Sequence, residues 1–277
     1  MGMNSRTLAS GPGWRIEDIV CSAGPGDRPF EEQHESACIA AVTRGSFRYR
    51  TTQGTALMAP GALLLGEAGR GFECDHEHHR GDRCFSFHFA PALLEEIGSH
   101  VPGVRRLRFD VPRLPPLAAL VPLLTAAETA RDRGEGAAFE EIALQLAGTV
   151  YATLAGAECT VPSISRRDEQ RVAAALRRIE TAPQSKLALD DLAREAASSR
   201  YHFLRIFHKV VGVTPRQFIL RTRLQRAAVD LRLSNQSVSA VAFDAGFEDL
   251  STFDRLFRRV MGTSPRAFRG RDRGNCG

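Results

Sequence analysis

The chain of 277 residues predicts an α+β fold in two parts, short strands first and helices after. Three observations carry that expectation. Before about residue 90, Gly and Pro cut the chain into short runs, and Phe85, Phe87 and Phe89 alternate with Ser86 and His88 at a period of two. Beyond residue 165 the apolar residues recur at spacings of three and four. Within that stretch a unit repeats. Phe203, Arg205, Phe207, Gly212, Pro215 and Phe218 return fifty positions later as Phe253, Arg255, Phe257, Gly262, Pro265 and Phe268, and Thr214 returns as Ser264. Two copies do not make a solenoid, so the unit serves something that needs it twice.

Composition narrows the class. The hydrophobic share of 43% and the charged share of 25% are those of a soluble globular protein. Apolar runs such as Ala62–Leu65 are far too short to cross a bilayer, and the N-terminus has no signal-peptide core, so a cytoplasmic protein without a membrane partner is expected. Six Cys stand at 21, 38, 74, 84, 159 and 276 with no CxxC pair, which is not a disulfide framework. Charge is divided unevenly. Residues 165–277 hold 22 Lys+Arg against 12 Asp+Glu, a net +10, whereas residues 1–164 have a net of −5. One half is suited to a polyanion; the bland alternative is a basic face with no partner.

Taken in order, residues 1–13, with Gly11, Pro12 and Gly13, read as a loose arm. Phe47–Arg50, Ala62–Leu65 and Phe85–Phe89 are strand candidates in a small barrel or sandwich. Ala92–Ser99 reads as a short helix, Leu117–Arg131 as another after the Pro115-Pro116 break, and Ala137–Ala155 as a longer one. The last carries a stripe of Phe139, Ile142, Leu146, Val150 and Leu154 that needs a cover. Either a second copy supplies it, making this the candidate dimerisation helix, or the chain's own barrel does. The expected domains are 1–156, a linker at 157–167, and a helical domain at 168–271.

The repeated unit reads as a short helix, a tight turn and a second helix. In the first copy Asp190–Ala196 forms the short helix, with Asp190 as its expected N-cap. From Ser199 to Val210, Phe203, Ile206, Phe207 and Val210 face inward while Arg200, Tyr201, Leu204, Arg205 and His208 face out. In the second copy Val238–Ala245 precedes Gly246, which supplies a left-handed turn position. Leu250–Val260 then turns Phe253, Leu256, Phe257 and Val260 inward, and Leu250, Ser251, Asp254, Arg255 and Arg258 outward. Pro215–Leu233 reads as one long helix between the copies. This is the helix-turn-helix plan used twice.

These residues reach a known family. "AFDAGFEDLSTFDRLFRRVMGTSPRAFR", "RYHFLRIFHKVVGVTPRQFI" and "RTRLQRAAVDL" closely resemble the DNA-binding domain of AraC/XylS-type transcription regulators over Leu187 to Arg269. The resemblance implies two helix-turn-helix units reading successive major-groove segments of double-stranded DNA, and RNA polymerase as a further partner. It also makes the N-terminal strands look like a cupin-like β-barrel serving as sensor, there only on strand order and Pro60-Gly61. Carried over by position, base contacts fall on Arg200, Tyr201, Leu204 and Arg205, and on Leu250, Ser251, Asp254 and Arg255. Arg258 and Arg259 suit phosphates. Leu250 and Asp254 depart from the family pattern, and Asp254 would repel phosphate while accepting from a cytosine amine.

Six of the eight His precede residue 165, and His76, His78, His79 and His88 crowd together with Cys74 and Cys84 beside them and His34 on another strand. His76, His78, His88 and Cys74 are the candidate ligands for a divalent metal such as zinc or cobalt. The default is a surface cluster or the lining of a small-molecule effector pocket, and a Cys74–Cys84 redox switch is a third reading. Rivals from other classes are a cupin metal-dependent oxygenase fused to a DNA-binding domain, with Glu35 or Glu77 as carboxylate, and a DNA-bending protein without sequence choice. No cofactor is certain, and no residue is assigned a catalytic role.

Overall fold

A computed structural model describes residues 3–24, 27, 29–76, 81–104, 108–156 and 164–270. The strands are β1 (Met3–Gly11), β2 (Trp14–Cys21), β3 (Phe30–Gln33), β4 (Ala37–Arg44), β5 (Phe47–Thr51), β6 (Gly54–Met58), β7 (Leu63–Gly66), β8 (Gly71–Asp75), β9 (Asp82–Phe89) and β10 (Arg113–Leu114). The helices are α1 (Pro91–Ser99), α2 (Val121–Arg133), α3 (Ala138–Gly156), α4 (Arg166–Thr181), α5 (Leu189–Glu195), α6 (Arg200–Val211), α7 (Pro215–Leu233), α8 (Val238–Asp244), α9 (Leu250–Met261) and α10 (Pro265–Gly270). Strands precede helices, as the pattern predicts, save that the short β10 follows α1.

Among the described residues the strands form two antiparallel sheets, ordered β1-β2-β9-β4-β7-β10 and β3-β8-β5-β6, and no closed barrel. The central strands of the larger sheet, β4, β7 and β9, are buried on both faces, while β1 at its edge is largely exposed. Ile39, Ala41, Phe85, Phe87 and Phe89 pack toward α1, α2 and α3. The alternate residues Cys38, Ala40, Val42 and Cys84 meet Phe47, Tyr49 and Met58 of the smaller sheet. The period of two in β9 therefore separates two apolar surroundings, large rings on the helix side and small residues between the sheets.

Residues 3–11 are not an arm. They form β1, paired with β2 from Met3 opposite Cys21 to Gly11 opposite Trp14. The Gly-Pro-Gly cluster is the hairpin turn. Gly13 has φ +79°, and a Cβ on Gly11 would lie 2.6 Å from the Trp14 indole nitrogen.

The stripe of α3 is covered from within. Phe139, Ile142, Leu146 and Val150 are buried in the same core as Phe85 and Phe87, with Leu154 packed at its edge. The stripe therefore supplies no argument for a dimer. Of the expected linker, residues 157–163 lie outside the described part; at its end Ser165 caps α4, accepting from the Asp168 N–H at 3.1 Å.

In the helical half the repeat is a repeat of packing. Phe203–Phe207 and Phe207–Phe218 ring centroids lie 5.8 and 6.0 Å apart, and Phe253–Phe257 and Phe257–Phe268 both 5.3 Å. Gly212 and Gly262 end α6 and α9 in the left-handed region, at φ +90° and +70°. Thr214 forms a capping box with Gln217, and Ser264 accepts from the Ala267 N–H. One expected cap is elsewhere: α5 begins after Ala188, which offers no side-chain cap, and Asp190 lies in its first turn. A carboxylate there suits the positive end of the helix and pairs with Arg200 at 3.4 Å.

The two halves share cores. Leu57 and Ala59 belong to the cluster around Phe203 and Phe207, and Val121 of α2 to the cluster around Phe253 and Phe257. Phe207 is fully buried. Its replacement by Ala is expected to cost about 3–5 kcal/mol of unfolding free energy, measured by urea denaturation, with Phe257→Ala costing a similar amount.

Candidate nucleic-acid interface

The second helix of each unit, α6 and α9, starts on a side-chain cap. The Ser199 hydroxyl accepts from the His202 N–H at 3.3 Å, and the Asp249 carboxylate accepts from the Thr252 N–H at 2.7 Å. The Thr252 and Ser251 backbone hydrogen bonds hold the Asp249 carboxyl below its ordinary range. The turns before them differ. Ala197 takes the left-handed position at φ +45° in the first unit and Gly246 at φ +89° in the second. A Cβ on Gly246 would lie 2.6 Å from the Gln184 Cα, so that position accepts glycine alone.

With Phe203, Ile206, Phe207 and Val210 buried, α6 turns Arg200, Tyr201, Arg205, His208 and Lys209 to solvent, with Leu204 half-buried. Tyr201 is 76% exposed, an unusual place for an aromatic ring of a free protein. On α9, Leu250 is 42% exposed, and Ser251, Arg255, Arg258 and Arg259 are exposed. All ten residues picked from the sequence thus lie on the outer side of their helix or on its flank. Two are engaged with each other: Arg258 Nε donates to Asp254 Oδ2 at 2.7 Å.

What holds the two units together was not legible beforehand. Arg223 of α7 places its guanidinium among three backbone carbonyls, donating to Pro183 at 2.6 Å, Gly246 at 2.7 Å and Ser185 at 2.8 Å. One planar fork thereby ties the loop before α5 to the turn of the second unit. Arg113 acts similarly between the halves. It donates to the carbonyls of Leu57, Val210 and Val211, the last two at the C-terminal end of α6, where a cation is favoured. Burial pulls its guanidinium down to about 10. An Arg in a charged sequence carries no mark of being bound to carbonyls.

In the N-terminal half the three candidate ligands among the described residues, His76, His88 and Cys74, do not come together. His88 lies six residues along β9 from Asp82, roughly 20 Å away on an extended strand. It bonds Ser36 and Ser86 and faces Glu17 at 3.5 Å. Together with Trp14, Glu35 and Arg70 it lines a cavity of about 890 Å³. Cys74 is buried between the sheets, and burial pushes its thiol up. His78, like Glu77 and His79, lies outside the described residues. His76 instead meets Asp82, Nε2 to Oδ2 at 2.5 Å, with the Cys21 thiol beside them. Burial opposes a charge on His76, but the hydrogen bonds and charges of Asp82 and Cys21 outweigh it and lift the imidazole to about 9. Cys21 and Asp82 are missing from the sequence reading because they meet only through the β2–β9 register, where they are cross-strand partners. Among the described residues, Cys74 and Cys84 are free thiols.

The sequence comparisons agree with this geometry. A profile described as a helix-turn-helix domain matches residues 192–271. The regulatory protein SoxS of Salmonella typhimurium is 33% identical over 85 residues, which are 31% of this chain and 79% of that protein. An uncharacterized HTH-type transcriptional regulator of Haemophilus influenzae is 36% identical over 101 residues, 36% of this chain. The chain spans only about a third of that relative's length, 34%. Among solved structures, the DNA-binding domain of AdpA in complex with a target DNA is 30% identical, covering 39% of this chain and 98% of that one at a TM-score of 0.36. Two helix-turn-helix units on one connecting helix define a DNA-reading module. The chain belongs to the AraC/XylS family of transcription regulators. No helix among the described residues is long and apolar enough to cross a membrane.

Two outcomes test this geometry. Arg223→Lys keeps the charge and loses the fork, so it is expected to cost about 1–3 kcal/mol of stability. Gel-shift titration should show a larger loss on a site with both DNA segments than on a single segment. His34 stacks on Phe72 at 4.2 Å and shares a 2.7 Å hydrogen bond with Tyr49. Burial, with the nearby His88 charge, lowers it to about 4. An unfolded His takes its proton near 6.5, so this contribution is full above that pH and is lost as pH falls toward 4. Thermal melts should show wild type losing on the order of 2 kcal/mol more than His34→Gln across that window.

Proposed function

We propose that this chain is a sequence-specific DNA-binding transcription regulator whose N-terminal half, a cupin-type two-sheet sensor, takes an effector and governs how the two units meet DNA. One observation carries the reading: two capped helices of equivalent build expose different outer faces on a single frame, α7. In this reading Arg200, Tyr201, Leu204 and Arg205 meet one major-groove segment. Leu250, Ser251, Asp254 and Arg255 meet the next. Arg suits the paired acceptors of guanine, and Tyr and Leu suit a thymine methyl. Arg258 and Arg259, with the amides at the helix starts, suit phosphates. The net +10 of residues 165–277 supports a polyanion partner and implies strong salt dependence.

The effector belongs to the N-terminal half, where the cavity beside His88 and the cleft between the halves offer room for a small molecule. Activation by contact with RNA polymerase is the direction that the family resemblance supplies. The α3 stripe is covered inside the chain, so a homodimer would need another surface. The matched relatives are named as transcription regulators, which supports this reading over the oxygenase alternative.

Selection of bound DNA from a random pool, with and without effector candidates, tests the reading. A pool that never converges would defeat it. On the selected site Arg205→Ala is expected to cost about 1–3 kcal/mol and relax the preference at one position. An equal loss on random DNA would mean that Arg205 holds only a phosphate.

A further inference from the structure

We propose that Cys21, His76 and Asp82 bind one divalent metal ion of the zinc class at the edge of the cleft between the two halves. The inference uses the sensor reading only for its regulatory meaning; binding itself stands apart from DNA. Thiolate, imidazole and carboxylate together suit zinc or cobalt and disfavour magnesium and calcium, which take oxygen ligands. One ligand atom from each of the three lies within 4.8 Å of the other two. Tetrahedral zinc holds such atoms roughly 3.4–3.6 Å apart, so the His76–Asp82 contact opens by about 1 Å to admit the ion.

The surroundings are built for a fixed site. All three side chains are buried, at 5–8% exposure. Cys21 ends β2 and Asp82 opens β9 as register partners, so two ligands are set by the sheet. His76 follows β8 directly and enters from the second sheet. The second carboxylate oxygen of Asp82 already has a partner, the Cys84 thiol at 3.5 Å, which holds the carboxylate in orientation. Cys21 and Asp82 also line the interdomain cavity of about 730 Å³, so the fourth coordination position of the ion opens onto it.

That place touches the helical half. Gly45 has the Gly81 carbonyl and Asp82 where a Cβ would stand, 2.3 and 2.8 Å away, so no other residue fits there. The Gly45 N–H donates to Glu180 Oε1 of α4 at 3.0 Å. The candidate ligands and the first hydrogen bond to the DNA-reading half are therefore one residue apart in space. A buried imidazole–carboxylate pair would be satisfied by itself. The Cys21 thiol joins that pair through a hydrogen bond to the imidazole, which sets three metal-ligating donors together with an open side on the cleft.

The test is titration of chelator-stripped, full-length protein with cobalt(II), followed by zinc. One equivalent should bind with a thiolate-to-cobalt charge-transfer band, zinc should displace it, and zinc should raise the melting temperature. Cys21→Ser should lose the band. Asp82→Asn should weaken binding by more than about 100-fold, beyond the loss of an outer-shell partner. Metal-free melts of each variant separate lost ligands from lost folding. A band that survives in Cys21→Ser, unchanged affinity in Asp82→Asn, or no saturable binding at micromolar metal overturns the proposal. DNA binding by the same samples answers the other question: metal binding without specific DNA binding sinks the regulator reading alone, and the reverse sinks this one.

Discussion

Arg223 is the constraint on which the reading surface depends. Two helices that read successive DNA segments are useful only if their separation is fixed to a fraction of a base step. The long helix α7 sets the distance, but a helix alone leaves the units free to roll about its axis. The Arg223 fork removes that freedom by binding the loop before α5 and the turn before α9 at once. Its donors are rigid and planar, and its acceptors are backbone carbonyls that cannot turn away. Gly246 makes room for this closure, since any Cβ there would strike Gln184.

The same device joins the halves. Arg113 reaches the end of α6 from β10, and Arg221 of α7 donates to the Pro116 carbonyl at 2.5 Å. Around these cations lie apolar contributions from Leu57, Ala59 and Val121 to the cores of the two units. A buried pair of Arg48 with Glu169, at 3.0 Å, adds a charged contact that has little value unless both partners stay in place. The N-terminal half is thus part of the packing of the DNA-reading half. In the proposed regulator, an effector that shifted the sheets by a small amount would act directly on the cores that hold α6 and α9, without a separate relay.

Much of the helical half was legible from the residues. Phe203, Phe207 and their copies mark the inward face by spacing alone, and Gly212 and Gly262 mark the helix ends because a left-handed residue is nearly always glycine. Pro215–Leu233 is found with the bounds expected of it. The failures share one cause, which is that pairing across sequence distance is invisible in one chain. Gly11, Pro12 and Gly13 look the same in a tail as in a hairpin, and only the β1–β2 register decides. His88 sits near His76 in sequence but far along a strand, while Cys21, sixty-one residues away from Asp82, sits opposite it. The α3 stripe announces a partner without naming it; the sheet of Phe85 and Phe87 is that partner.

The pair formed by Asp254 and Arg258 gives the second unit a character of its own. Before any DNA arrives, α9 has already neutralised one of its cations with one of its anions. A DNA segment can recruit Arg258 only by outbidding that carboxylate, and a segment that does so without offering Asp254 a donor leaves a bare negative charge against the duplex. In the proposed regulator, contact by this helix would therefore be conditional, with part of its selectivity drawn from a penalty on wrong segments. The first unit also pairs one of its cations, Arg200, with Asp190, but that carboxylate stands on the preceding helix α5 and not on α6 itself. The two units of the proposed regulator would therefore weigh a DNA segment differently, the second with an anion of its own on the exposed face.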